Sequence, residues 1–140
     1  ETMLAESMEE AAAVIRGLRA LGCKVSIDDF GTGYSSIAGI LDLPVHTLKL
    51  ERSFVWQLET NPKSRHIIEG LIDIARNLGL NIIAEGVETE NQVQILKPCQ
   101  YLQGFYYSPT VTEEILMDVI GTTPDESMAI ITQEKENAKR

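Results

Sequence analysis

Short strand patterns alternate with amphipathic helix patterns along almost the entire chain. Strands are predicted over residues 24–30, 47–50, 81–84 and 101–105, each built around apolar residues. Helices are predicted over 3–21, 37–41, 62–78, 89–96 and 112–120, from apolar residues at helical spacing or from a capping residue. Such alternation is typical of parallel strands joined by right-handed helical crossovers. The chain is therefore predicted to adopt an α/β fold with about four parallel strands alternating with helices.

The small number of strands limits how this sheet can be completed. Four parallel strands form either a small open sheet or half of an eight-stranded (β/α) barrel. Open edges leave backbone groups unpaired and apolar side chains exposed, which natural proteins avoid. We expect one of three solutions: the chain is a piece of a longer protein, another chain supplies the missing strands, or two copies complete a barrel about a twofold axis.

Polar side chains stand at or near the carboxyl end of every predicted strand. In chain order they are Asp28 and Asp29, Lys49, Glu85, and Gln103. The carboxyl ends of parallel strands converge on one rim of a barrel, so these residues are predicted to line a single site. Successive side chains of a strand point to opposite faces, so Asp28 and Asp29 share a site only where the strand begins to turn.

Each of these residues also has an ordinary structural explanation. Adjacent aspartates before a glycine often form turns, and a lysine between two leucines often extends its charged end to the surface.

As a set, the residues predict metal-assisted hydrolysis of a phosphoester. Asp28, Asp29 and Glu85 are candidate ligands for Mg²⁺ or Mn²⁺, which prefer oxygen. Lys49 is a candidate for neutralising developing charge, and Glu85 for the general base.

Composition restricts the partners that this chain is expected to bind. A net charge of −9 argues against a nucleic acid polymer, because an acidic surface repels phosphates. No apolar run is long enough to cross a membrane, and the N-terminus lacks a signal-peptide pattern. We therefore expect a cytoplasmic location without membrane insertion by this segment, either alone or as the cytoplasmic part of a larger sensor protein.

Four motifs match one known family, in the order in which the family has them. They are IDDFGTGYSS (27–36), LKLERSFV (48–55), LGLNIIAEGVET (78–89) and YLQGFYYS (101–108). In these motifs the chain resembles the C-terminal half of the EAL-domain cyclic-di-GMP phosphodiesterases. The resemblance implies the C-terminal half of a TIM-like (β/α) barrel, cyclic-di-GMP as substrate, linear pGpG as product, and Mg²⁺ or Mn²⁺ as cofactor.

The resemblance also implies roles for the residues at the strand ends. Asp28 and Asp29 resemble the family's metal ligands. Lys49 resembles the lysine that contacts the catalytic water, and Glu85 the glutamate that acts as general base or further metal ligand. Gln103 resembles the glutamine of the family's Gln-Gly motif, a substrate or supporting residue.

A second group of residues resembles the family's regulatory loop and its supports. The loop contains Gly31, Thr32 and Gly33, and the family uses it in dimerisation and regulation. Glu1 and Glu88 resemble the pair that steadies this loop. The resemblance therefore implies a homodimer, or a complementing N-terminal half of the barrel, as a partner.

The chain departs from the family on its N-terminal side. No Glu-Ala-Leu triplet occurs in the 140 residues, and the metal-binding asparagine that precedes the first matched motif is also absent. We therefore expect the isolated chain to be inactive. The alternative is a non-catalytic module that binds cyclic-di-GMP or a protein. Residues 1–121 are assigned to the domain, and 122–140 to a C-terminal tail or connector.

Overall fold

A four-stranded parallel sheet with helices along one face is the centre of this fold. The computed structural model describes residues 2–30 and 43–137. The strands are β1 (Ser26–Phe30), β2 (Thr47–Leu50), β3 (Asn81–Glu85) and β4 (Tyr101–Gln103). The helices of the described ranges are α1 (Thr2–Ala20), α2 (Arg52–Gln57), α3 (Pro62–Asn77), α4 (Glu90–Leu96), α5 (Glu113–Gly121) and α6 (Pro124–Asn137). The strands pair in the order β1, β2, β3, β4, all in parallel. The predicted α/β fold with four parallel strands is confirmed.

Most predicted elements form close to their predicted positions. The first and last residues of all four strands differ from the prediction by at most two positions. Four of the predicted helices form within one residue of their predicted bounds. The helix predicted over 37–41 lies outside the described residues. Local signals explain this agreement: Asn61 caps α3 by accepting the Lys63 backbone N–H at 3.0 Å, and Pro62 follows at the first helical position.

Two observed helices have no counterpart among the predicted elements. α2 begins after Glu51, whose carboxylate accepts the Ser53 backbone N–H at 2.9 Å. Glutamate is not among the preferred capping residues, so the sequence carries no clear start signal there. α6 lies in the segment 122–140 and packs against α5, where Ser127 Oγ donates to the Val119 carbonyl at 2.8 Å. The role of this segment as a tail or connector stays a prediction.

Apolar packing is concentrated on one face of the sheet. Side chains of β2 and β3 are buried there against the helices; they are Leu48, Leu50, Ile82 and Ala84. On the opposite face, Lys49, Ile83 and Glu85 are only half-buried. Parallel sheets are normally covered on both faces. One covered face and two outer strands, β1 and β4, are what half of a TIM-like barrel presents on its own.

No helix within residues 2–30 and 43–137 combines the length and the apolar character that a membrane crossing requires.

Candidate active site

Lys49 bridges carboxylates from the two strands that flank its own. Its Nζ lies 2.8 Å from Asp28 Oδ1 on β1 and 2.6 Å from Glu85 Oε1 on β3. β2 lies between β1 and β3 in the sheet, so a side chain on β2 can reach both neighbours. The structure thus brings together three of the residues that the sequence predicts for one site.

The backbone of β1 is irregular at the two aspartates. Ile27 pairs with Leu48 and Phe30 pairs with Leu50, so β1 has one more residue than β2 between these pairs. Asp29 has a φ of +50°, in the left-handed region that non-glycine residues seldom adopt. This is a β-bulge. It lets Asp28 face Lys49 while Phe30 returns to the core, where it is 2% exposed.

Hydrogen bonds within this group keep Lys49 and Asp28 charged. The hydrogen bond from Lys49, followed by one from the Asp29 backbone N–H, lowers the pKa of Asp28 below its ordinary value. The hydrogen bond to Asp28, followed by that to Glu85, raises the pKa of Lys49. The side chain of Asp28 is 64% exposed, whereas those of Lys49 and Glu85 are 25% and 21% exposed. Water therefore screens the Asp28 end of the bridge more than the Glu85 end.

Gln103 lies beside Glu85 at the same edge of the sheet. The two residues are register partners at the ends of β4 and β3. The Gln103 carbonyl accepts the Val87 backbone N–H at 3.0 Å, which holds the loop after Glu85 against β4. Gly104 makes this contact possible, because a Cβ at position 104 would lie 2.1 Å from the Val87 carbonyl oxygen.

The predicted support residues are described only in part. Glu88 is exposed in the loop between β3 and α4, and its backbone N–H donates to Gln92 Oε1 at 2.7 Å. Its predicted partner Glu1 lies outside the described residues. The predicted loop residues Gly31, Thr32 and Gly33 also lie outside them. The support roles of all five residues therefore stay predictions.

The structure describes all three predicted metal ligands, Asp28, Asp29 and Glu85. Within the ranges that the structure describes, no three His, Cys, Asp or Glu side chains are grouped to hold a metal ion. Asp28 and Glu85 instead direct carboxylate oxygens at one positive charge, the Lys49 ammonium. Carboxylate oxygens are ligands that Mg²⁺ and Mn²⁺ prefer. The donor chemistry therefore fits a divalent cation, and the ligand roles stay a prediction.

α2 adds residues to this rim that the sequence does not single out. The Arg52 guanidinium lies 5.1 Å from the centroid of the Trp56 ring. Glu59, just after the helix, accepts hydrogen bonds from Thr89 Oγ1 at 3.0 Å and Asn91 Nδ2 at 2.9 Å. These contacts tie the end of α2 to the start of α4. The four-residue spacing of Arg52 and Trp56 is a detectable signal once α2 is known to be a helix.

Comparison with known proteins supplies the family. Residues 1–110 match the model of a family described as the EAL domain. The signaling protein YkoW of Bacillus subtilis (strain 168) is 41% identical over 116 residues, which cover 81% of this chain and 14% of that protein. The cyclic di-GMP phosphodiesterase NbdA of Pseudomonas aeruginosa is 38% identical over 110 residues, which cover 77% of this chain and 14% of that protein.

A solved structure is similar to this chain in both fold and sequence. The PaMucR phosphodiesterase in complex with c-di-GMP superimposes with a TM-score of 0.71 at 37% identity, covering 77% of this chain and 44% of that chain. This chain thus spans 14% of the length of each of the two relatives and less than half of the solved chain. Because the family model covers most of its length, the chain belongs to the EAL domain family.

Proposed function

We propose that this chain is part of a metal-dependent phosphodiesterase that hydrolyses cyclic-di-GMP to linear pGpG. The observation that carries the proposal is Lys49 held between Asp28 and Glu85 at the carboxyl end of a parallel sheet. The comparisons support it, since one relative is named a cyclic di-GMP phosphodiesterase and one similar structure is a phosphodiesterase complex with c-di-GMP.

Lys49 acts as a fixed positive charge in this proposal. Its hydrogen bonds to Asp28 and Glu85 raise its pKa, so the ammonium stays protonated near neutral pH and is no proton acceptor. A cation held in place before the reaction stabilises negative charge that develops on a phosphate. Glu85 is the half-buried carboxylate at the end of β3, and it accepts the proton of the attacking water.

Asp28 and Asp29 hold the metal in this proposal, with further ligands from outside the 140 residues. The alternative role of Glu85 is that of a further metal ligand in place of the general base. The chain contains no Glu-Ala-Leu triplet, so the N-terminal half of a barrel has to supply the rest. When bound, Mg²⁺ or Mn²⁺ lowers the pKa of water and stabilises the attacking and leaving oxygens. We therefore expect no pGpG from the isolated chain and turnover only from the completed domain.

The test measures pGpG by chromatography, for the isolated chain and for the chain joined to the N-terminal half of an EAL domain. In the joined protein, Lys49→Met should lower kcat by roughly a hundredfold or more. Lys63→Met is the matched control, because Lys63 is exposed on α3. Turnover by the isolated chain contradicts the incomplete metal site. A joined protein that binds cyclic-di-GMP in calorimetry without hydrolysing it supports the non-catalytic alternative instead.

We also propose that another set of strands completes the barrel, either an N-terminal half or a second copy of the chain. β1 and β4 are the outer strands of the sheet. Exposed apolar side chains lie on α1, at Val14 and Leu18, and directly after it, at Leu21. Covering such surface is favourable. Light scattering on the purified chain tests this expectation, and a stable folded monomer argues against the second copy.

A further inference from the structure

We propose that Arg52 and Trp56 form a binding platform for one guanine base of cyclic-di-GMP. This proposal rests on the proposed function, because it takes the ligand from there. It goes further by assigning base recognition to two residues of α2. The two side chains stack on each other, with the guanidinium carbon 5.1 Å from the centroid of the indole ring.

The platform lies next to the predicted catalytic glutamate. Gly86 directly follows Glu85 and has a φ of +72°. A Cβ at position 86 would lie 2.6 Å from Arg52 Cβ and 3.4 Å from Trp56 Nε1. The bare glycine thus lets α2 approach the loop after β3 closely. The pair therefore lies beside the loop that directly follows Glu85, and in this proposal a dinucleotide with a phosphate at Lys49 extends one base toward that loop.

Exposure and charge make the pair available to a ligand. Trp56 is 46% exposed and is the only tryptophan of the 140 residues. Arg52 is exposed as well, and none of the ion pairs found among residues 2–30 and 43–137 includes it. Lys49, by contrast, already contacts two carboxylates. In an acidic chain, the Arg52 guanidinium is therefore a positive charge near the strand ends that remains for a ligand.

The chemistry of this pair suits a guanine base. Aromatic rings bind nucleobases by stacking, which tolerates any base. The planar guanidinium donates two parallel hydrogen bonds to O6 and N7 of guanine, a pattern that adenine does not accept. Stacking on Trp56 holds this planar fork in place before binding, which reduces the conformational entropy lost on binding. Stacking thus supplies affinity, and Arg52 supplies the preference for guanine.

The experiment uses the intact protein that contains this chain, with cyclic-di-GMP and cyclic-di-AMP as probes in calorimetry. Trp56→Ala should weaken cyclic-di-GMP binding about 5- to 150-fold, and Trp56→Phe should weaken it less, because a smaller ring remains. Arg52→Lys should reduce the preference for the guanine dinucleotide by on the order of tenfold. Arg65→Lys is the matched control, since Arg65 is exposed on α3 and pairs with Glu69 at 2.9 Å, and it should leave both affinities unchanged.

Tryptophan fluorescence adds a readout that a loss of folding does not imitate. Cyclic-di-GMP should change the emission of the wild-type protein, and the part of the change that Trp56→Phe removes belongs to Trp56. If the wild type binds but the Trp56 and Arg52 variants bind as tightly and selectively as Arg65→Lys, the platform is refuted and the proposed function stands. If the wild type binds neither dinucleotide, the platform falls together with the function on which it rests.

Discussion

Replacing Gly104 by alanine should break the contact between the loop after Glu85 and the end of β4. The new Cβ would lie 2.1 Å from the carbonyl oxygen, 2.3 Å from the nitrogen and 2.7 Å from the carbonyl carbon of Val87. All three are backbone atoms, so no side-chain rotation relieves the overlap. Val87 is 0% exposed, so the loop has to move away from β4 as a unit.

The cost follows from the hydrogen bonds that this movement breaks. The Val87 N–H donates to the Gln103 carbonyl at 3.0 Å, and the Val87 carbonyl accepts the Tyr106 N–H at 2.9 Å. Each broken bond costs roughly 1–3 kcal/mol when its buried partner stays unpaired. Alanine recovers about 0.4–1 kcal/mol by restricting the unfolded chain. We therefore expect Gly104→Ala to lower the free energy of unfolding by about 1–5.5 kcal/mol.

Urea denaturation followed by circular dichroism measures this loss, with Gly70→Ala as the matched control. No atom lies within 4 Å of a Cβ built at Gly70 in α3. Alanine there should raise the free energy of unfolding by about 0.5–1 kcal/mol, because glycine disfavours a helix interior. The two Gly→Ala variants should thus move the urea midpoint in opposite directions. A Gly104→Ala protein as stable as the wild type refutes the steric argument.

Three further predictions concern charge, burial and capping. Lys49→Gln should raise the pKa of Asp28 toward its ordinary value of 3.8, as NMR titration of the carboxyl carbon measures. Because the folded-state pKa of Asp28 is lowered, the contribution of the Asp28–Lys49 ion pair to stability is fully present above about pH 3.8 and is lost as the pH falls. If wild type and Lys49→Gln unfold in acid with equal curves, the ion pair makes no such contribution. Burial raises the pKa of Cys99 to about 12. Iodoacetamide at about pH 8 should therefore modify Cys99 at least about a hundredfold more slowly than the exposed Cys23. Peptide mass spectrometry measures both rates, and equal rates argue against the burial of Cys99. Thr89→Ala should lower the free energy of unfolding by about 1 kcal/mol, because Thr89 Oγ1 caps α4 by accepting the Gln92 backbone N–H at 3.1 Å. An unchanged urea midpoint would show that this cap does not stabilise the fold.

The sequence predicts the order and type of most elements because their signals are local. Asn61 with Pro62 marks the start of α3, and apolar residues at helical spacing mark its length. Capping, turns and periodicity act within a few residues, so they remain visible without a structure. α6 and α2 are the exceptions in the described ranges, and α2 shows why. Its cap is Glu51, a residue with weak capping preference, and its 6 residues carry little periodicity.

The sequence by itself determined which chemical groups reach the carboxyl edge of the sheet: carboxylates, one lysine and one glutamine at successive strand ends. Only the tertiary structure decided how they meet. The bulge at Asp29 turns Asp28 toward Lys49, and the close approach at Gly86 places Arg52 and Trp56 beside the loop that follows Glu85. Both depend on the register of neighbouring strands and on packing between residues distant in the chain. Such contacts leave no local pattern, because their free energy arises only when the sheet has assembled.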